Sequence, residues 1–249
     1  MKNSAASPRS ERPAILGEVA AVVFGLCALA AVAVWWFYNR GYILYYGDAQ
    51  AHLNISRSII DSRTPGYEQL GSVWLPLLHV ICLPWVRSNW LWSTGLAGSI
   101  PVSICFVITG TCFYLAAKET YESSLAAVVV LCCFALNPNV LYLASIPMTE
   151  VVSLAGVAVT LLSLLRFQRT QQRIWIALAL LASWAMSLTR YDGWFLIPFT
   201  AIWFAAFARN HRRAVLVSFG VIASLAPLYW LAHCWWETGN ALDFYNGPY

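Results

Sequence analysis

The chain has 249 residues, of which 60% are hydrophobic and 10% are charged, and it contains thirteen tryptophans. Soluble domains do not ordinarily have this composition, so the sequence predicts an integral membrane protein. The formal net charge of +4 is a weak indication of anionic partners, because in a membrane protein the placement of Lys and Arg matters more than their sum. We expect membrane lipids as partners and no nucleic acid.

Seven apolar runs are long enough, or nearly long enough, to cross a bilayer. They cover residues 15–38, 91–117, 125–143, 151–167, 174–188, 194–208 and 214–236. The fifth and sixth runs have about 15 residues each, which at ~1.5 Å per residue is short for a hydrocarbon core of about 30 Å. The sequence predicts about seven transmembrane helices, two of them short.

Arginine clusters precede the fifth run and follow the sixth. The positive-inside rule assigns both clusters, together with the N-terminus, to the cytoplasmic side, so the two short runs must each cross. Seven of the eleven acids then lie on the outer face. The sequence thus predicts a multi-pass protein of the cell membrane, with its N-terminus cytoplasmic and its carboxylate chemistry extracytoplasmic.

The first outer loop, residues 39–90, is the longest connection and is expected to be ordered and functional. An interfacial helix is predicted from Gly47 to Ile60, and a second interfacial or re-entrant helix over 73–86, where two prolines interrupt an apolar piece. The fold class is therefore an all-α integral membrane module of residues 1–249. We interpret the chain as the N-terminal part of a longer protein, because it stops just outside the seventh run.

The seven cysteines lie mostly within apolar runs, without a CxxC pair or a His/Cys cluster at zinc spacing. We interpret them as small core residues, and their odd number argues against a disulfide framework. No cofactor is assigned. A divalent metal stays open, since Asp48, His52 and Glu150 are residue types that can supply oxygen and nitrogen ligands.

Asp48 and His52 are the first candidate site residues, because they are four apart at the start of the first interfacial helix and share one face. Asp48 is either the cap of that helix or a base that accepts a proton from an acceptor hydroxyl. His52 is either an interfacial polar side chain or a substrate contact. For each residue the structural role and the functional role can hold at the same time.

Two further outer segments carry candidates. Glu150 begins the fourth span, where a carboxylate also favours the helix N-terminus electrostatically. Arg190, Tyr191 and Asp192 form the turn between the two short spans, which is expected to lie below the outer surface, where ionisable groups are costly unless paired. Arg190 either binds a lipid phosphate with its planar fork or pairs with Asp192.

Aromatic side chains near these segments are the last candidates. Trp74 and Tyr191 can stack on sugar rings, as can Trp194, Trp235 and Trp236. Aromatic belts also occur at membrane interfaces without any ligand, so both interpretations stay open.

The order of these features resembles the GT-C membrane glycosyltransferases, particularly the branch of polyprenyl- or dolichyl-phosphate-mannose protein mannosyltransferases and bacterial lipid A aminoarabinose transferases. The resemblance rests on GDAQAHL at 47–53, GSVWLP at 71–76, PMTE at 147–150, LTRYDGW at 188–194 and NGPY at 246–249. It covers nearly the whole chain. In one respect the chain departs from the family, because many relatives have two adjacent acids where Ala49 here follows Asp48.

The resemblance implies that Asp48 is the catalytic aspartate and that a polyprenyl-phosphate sugar is the donor. The predicted function is transfer of a hexose from that donor to an extracytoplasmic lipid, glycan or protein acceptor. His52, Trp74, Glu150, Arg190, Tyr191 and Asp192 are the expected substrate-binding residues. The alternatives are a polytopic transporter or flippase, for which the charges at the short hairpin would line a solute path, and a noncatalytic membrane scaffold.

Overall fold

Helices account for 81% of the protein in the computed structural model, which describes residues 8–246, and no strand occurs in that range. Side chains are described from residue 16 onward. The segment NGPY at 246–249, on which part of the family resemblance rests, therefore lies outside the described residues, apart from Asn246. In chain order the helices are α1 (Pro8–Asn39), α2 (Gly47–Ser58), α3 (Leu77–Val86), α4 (Asn89–Thr94), α5 (Leu96–Tyr121), α6 (Ser124–Ala135), α7 (Pro138–Ser145), α8 (Thr149–Thr170), α9 (Arg173–Ser187), α10 (Asp192–Phe207), α11 (Arg212–Thr238) and α12 (Asp243–Asn246), with a 3₁₀ turn at Tyr67–Leu70.

Four helices of the described part, α1, α5, α8 and α11, are long and apolar enough to cross a membrane. Helices α6 and α7 make a fifth span if they are counted together, although they are bent by 63°. The third apolar run was expected to be one helix, and the break has a local cause. Asn137 caps α7 by accepting hydrogen bonds from two backbone N–H groups, and Pro138, which has no N–H, occupies the first helical position.

Helices α9 and α10 have 15 and 16 residues, so the expectation that the fifth and sixth runs are short is confirmed. They run in opposite directions. The turn between them lies beside α3, where the Leu77 N–H donates to the Leu188 carbonyl at 2.8 Å.

The first loop contains the two predicted helices, α2 and α3, and α4 is an additional helix that was not predicted. Helix α2 begins at Gly47 as expected, whereas α3 begins at Leu77 and not at residue 73, with Pro76 as its N-cap residue. Each helix buries one face, and Leu53 of α2 and Leu78 of α3 belong to the same core as Phe106 of α5. The loop is therefore packed onto the bundle, which fixes the position of α2.

Hydrogen bonds hold the segment before α3 against the last helices. The Tyr191 hydroxyl donates to the Val73 carbonyl at 3.1 Å, and His233 Nε2 lies 2.7 Å from the Gly71 carbonyl oxygen. Segment 71–77 thus joins the α9–α10 turn to α11.

Gly193 allows the α9–α10 turn to close tightly. A Cβ at this position would lie 2.6 Å from the Met186 carbonyl carbon and 2.8 Å from the Ser187 nitrogen, both of which are backbone atoms. A side chain at residue 193 would therefore displace Asp192 and Arg190, which precede it.

We expect Gly193→Ala to destabilise the protein by about 1 to 3 kcal/mol, because backbone must move to admit the methyl group. The measurement is the apparent melting temperature of purified protein in detergent. Gly220→Ala is the matched control, since that helical glycine has nothing within 4 Å of the added Cβ. Equal melting temperatures for the two variants would contradict this account of the turn.

Candidate active site

A cavity of about 300 Å³ lies where the first loop meets the connections before α8 and between α9 and α10. All seven predicted site residues line this cavity: Asp48, His52, Trp74, Glu150, Arg190, Tyr191 and Asp192. Thr149 and Thr189, which had not been singled out, also line it. Three segments far apart in sequence therefore bring their polar side chains to one place.

Asp48 is the second residue of α2 and is exposed to the cavity. The N-cap residue is Tyr46, and no side chain caps this helix, so Asp48 does not serve as its cap. Within the described side chains its carboxylate has neither a hydrogen-bond donor nor an ion-pair partner. Both oxygens are thus available to a ligand.

His52 is buried one turn further along α2, and its Nδ1 lies 2.9 Å from Nε2 of His79. Burial lowers the pKa of His52 to about 4, and the nearby charge of Asp48 opposes the shift only in part. Burial and the neighbouring His52 lower the pKa of His79 to about 3. Both imidazoles are therefore neutral near pH 7, so that one donates and the other accepts in their contact.

His79 is the partner that the sequence did not reveal. In the structure His79 lies on the buried face of α3 with Leu78 and Cys82, and His52 lies on the buried face of α2 with Leu53. Two histidines on the inner faces of neighbouring helices are candidates for a pair.

Arg190 is held by both neighbouring acids. Its Nη1 lies 3.1 Å from Glu150 Oε1 and 3.3 Å from the Thr149 hydroxyl, and its Nε lies 3.1 Å from Asp192 Oδ2. The predicted pair with Asp192 is present, and Glu150 is a second partner. In the described part of the chain no hydrogen bond uses Nη2, so this end of the fork can still donate to a ligand.

Glu150 uses only one of its oxygens for Arg190. The other oxygen, Oε2, is buried and has no hydrogen-bond partner among the described residues. A buried carboxylate oxygen without a donor is costly.

The aromatic candidates are partly engaged with protein. The ring of Trp74 lies 4.5 Å from that of His52, measured between centroids. Tyr191 stacks on Phe244 at 4.5 Å, and its hydroxyl accepts a hydrogen bond from Trp230 Nε1 at 3.1 Å. Tyr191 therefore supports the wall of the cavity with one ring face covered.

No group of three His, Cys, Asp or Glu side chains in the described range lies close enough together to hold a metal ion. Asp48, His52 and Glu150 share the cavity but do not form such a group. With three carboxylates and one guanidinium, and with His52 neutral, the cavity carries excess negative charge. No protein-family model, curated protein or solved structure matches this chain.

The buried histidine pair predicts how stability depends on pH. Near pH 7 the imidazoles are neutral in both the folded and the unfolded chain and have no effect. As the pH falls below the ordinary value of 6.5, the unfolded chain binds protons that the folded chain excludes down to about pH 4 for His52, so stability falls. We expect a lower apparent melting temperature at about pH 5 than at about pH 7, a window in which most carboxylates stay ionised.

The double variant His52→Gln/His79→Gln should lose most of this fall in melting temperature, because Gln does not titrate. His211→Asn is the control and should keep the pH dependence of the wild type. His211 is exposed and has a φ of 55°, a backbone conformation that Asn also tolerates. An unchanged pH dependence in the double variant would show that these histidines are not excluded from protonation.

Proposed function

We propose that this chain is the membrane-embedded module of a GT-C-like glycosyltransferase, which transfers a sugar from a polyprenyl-phosphate donor to an extracytoplasmic acceptor. One observation carries the proposal. The carboxylate of Asp48, which has no hydrogen-bond or ion-pair partner among the described side chains, lines one cavity with Glu150 and with Arg190, whose Nη2 makes no described hydrogen bond. These are the groups that phosphate displacement by a hydroxyl needs.

In this proposal the chain crosses the membrane seven times, with α9 and α10 as short spans. A second cavity is lined both by the start of α9, at Arg173, and by the end of α10, near Ala208. The turn between the two helices lines the candidate active site, so each helix runs from one end of the bundle to the other. At ~1.5 Å per residue they extend about 22–24 Å, which local thinning of the bilayer accommodates.

The proposed orientation places the cavity on the extracytoplasmic side and the N-terminus in the cytoplasm. Seven of the Lys and Arg residues described at side-chain level lie at the opposite end of the bundle from the cavity: Lys118, Arg166, Arg169, Arg173, Arg209, Arg212 and Arg213. The positive-inside rule puts that end in the cytoplasm.

The proposed chemistry is a single displacement at the anomeric carbon. The bond from this carbon to the phosphate oxygen breaks as the acceptor oxygen bonds to the carbon, and the hydroxyl proton passes to the carboxylate of Asp48. The electron pair of the broken bond stays on the departing polyprenyl phosphate. Arg190 Nη2 donates to that phosphate, where a fixed cation stabilises the charge that develops in the transition state.

The two acids beside Arg190 position it and do not simply neutralise it. They hold Nε and Nη1, so that Nη2 is left to donate to a phosphate. The ring of Trp74, which lines the cavity, is then left for a face of the sugar. The cavity, at about 300 Å³, lies at the small end of the range of ligand pockets, which suits one sugar ring.

We expect Asp48→Asn to abolish sugar transfer, because the amide cannot accept the hydroxyl proton, while membrane insertion and melting temperature stay unchanged. The measurement is transfer from labelled polyprenyl-phosphate hexose in vesicles that contain the full-length protein. Glu68→Gln is the control, since it removes one carboxylate from the same loop outside the cavity. Full activity of Asp48→Asn would rule out this residue as the base.

A second variant tests the guanidinium. Arg190→Lys keeps the charge but cannot bind Glu150, Asp192 and a phosphate together, so we expect kcat/KM for the donor to fall by about ten- to a hundredfold, the equivalent of one charged hydrogen bond. Arg87→Lys, an exposed arginine outside the cavity, should be unaffected. Equal kcat/KM in Arg190→Lys and the wild type would remove the phosphate role.

A transporter or flippase is the second candidate, because the short α9–α10 hairpin carries Arg190 and Asp192 at its tip. Charges at such a tip can line a solute path. Counterflow of a labelled solute or lipid in proteoliposomes, without a covalent product, would favour this function over transfer.

A further inference from the structure

A second cavity, larger than the candidate active site, lies at the other end of α9, α10 and α11. It has a volume of about 870 Å³ and is formed by the end of α8, the start of α9, the end of α10 and the start of α11. Helix α9 runs from the mouth of this cavity to the candidate active site, so that mouth lies about 22 Å from the active site along the helix axis. It is a second, independent site in the bundle.

The mouth of this groove is positively charged. Arg173, Arg209 and His211 line it, and no acidic residue does. Neither guanidinium has an ion-pair partner among the described side chains, whereas the nearby Arg166 is paired with Glu119 at 2.7 Å. Unpaired arginines at the rim of a groove attract an anion.

The backbone adds to this positive charge. Helices α9 and α11 both begin at the mouth, and neither has a hydrogen bond from a capping side chain, so their first N–H groups and the positive ends of their dipoles face it.

The inner walls of the groove are apolar. Ile176 and Leu180 of α9 face Val215 and Ile222 of α11, so the walls follow these helices for two to three turns. At the deep end the helices are joined by a hydrogen bond of 2.8 Å from Trp184 Nε1 to the Ile222 carbonyl. The groove is therefore open at its basic end and closed at its inner end by the contact between Trp184 and Ile222.

We propose that this groove binds an anionic glycerophospholipid of the cytoplasmic leaflet. Its phosphate lies between Arg173 and Arg209, and an acyl chain follows the apolar walls between α9 and α11. Only a ligand with an anionic head and a hydrocarbon chain matches both parts, and basic pockets between spans on the cytoplasmic side are where anionic lipid headgroups bind. The proposal rests on the orientation given above and not on sugar transfer.

The bound lipid would stabilise helices α9 and α10, which are the shortest of the proposed membrane-spanning helices. Helices α9 and α10 are short, and their other ends carry the Arg190 turn. A lipid that fills the space between α9 and α11 replaces apolar contacts that longer helices would supply. Removal of the lipid is expected to loosen the hairpin from its cytoplasmic end.

The test uses purified full-length protein in nanodiscs of phosphatidylcholine, into which phosphatidylglycerol is introduced. We expect wild-type protein to retain phosphatidylglycerol through extraction into detergent, as measured by native mass spectrometry, and to gain several degrees in melting temperature. The double variant Arg173→Gln/Arg209→Gln should retain at least tenfold less. Arg63→Gln/Arg87→Gln, which removes two exposed arginines from the first loop, should behave as wild type.

A third variant tests the contribution of the acyl chain separately from that of the headgroup. It also serves as a control for misfolding of the arginine variant. Ala177→Phe fills the apolar wall without changing any charge, and it should also lose the lipid while migrating as a folded protein. Inorganic phosphate should not displace the lipid. Retention of phosphatidylglycerol at the wild-type level by either variant, retention of phosphatidylcholine by the wild type as strong as that of phosphatidylglycerol, or displacement by phosphate alone would overturn the proposal.

Discussion

A guanidinium between two carboxylates holds the cavity end of the bundle together. Arg190 bonds to Glu150 in the first turn of α8 and to Asp192 in the first turn of α10, at 3.1 Å in each case. Both acids also interact favourably with the positive ends of their helices. These two contacts join the α9–α10 turn to the first turn of α8, and segment 71–77 closes the space over it. The cavity is what remains between these parts.

The two ends of the bundle have opposite character. The cavity end carries carboxylates in excess, and the other end carries most of the cations and an amphipathic groove. Helices α9, α10 and α11 connect the two, so their packing connects the proposed lipid site at one end to Arg190 at the other. The proposed orientation follows from this division of charge, and the proposed chemistry depends on it.

Much of this site was predictable because charged residues in an apolar chain are few and costly. Asp48, Glu150 and Arg190 stand out for that reason, and so does the short hairpin. The break at Asn137 and Pro138 was visible as a capping pair, yet hydropathy averages across it and predicts one span. His79 was missed because pairing across two helices depends on which faces they bury, and that is decided by tertiary packing.

In the proposed reaction the cavity breaks the sugar–phosphate bond of a lipid donor. The most direct test measures polyprenyl phosphate released from labelled polyprenyl-phosphate hexoses by full-length protein in sealed vesicles, together with the sugar that reaches the acceptor. The account predicts one polyprenyl phosphate released for each sugar transferred, with the product on the side of the membrane that the cavity faces. Well-inserted protein that releases no polyprenyl phosphate from any such donor would contradict it.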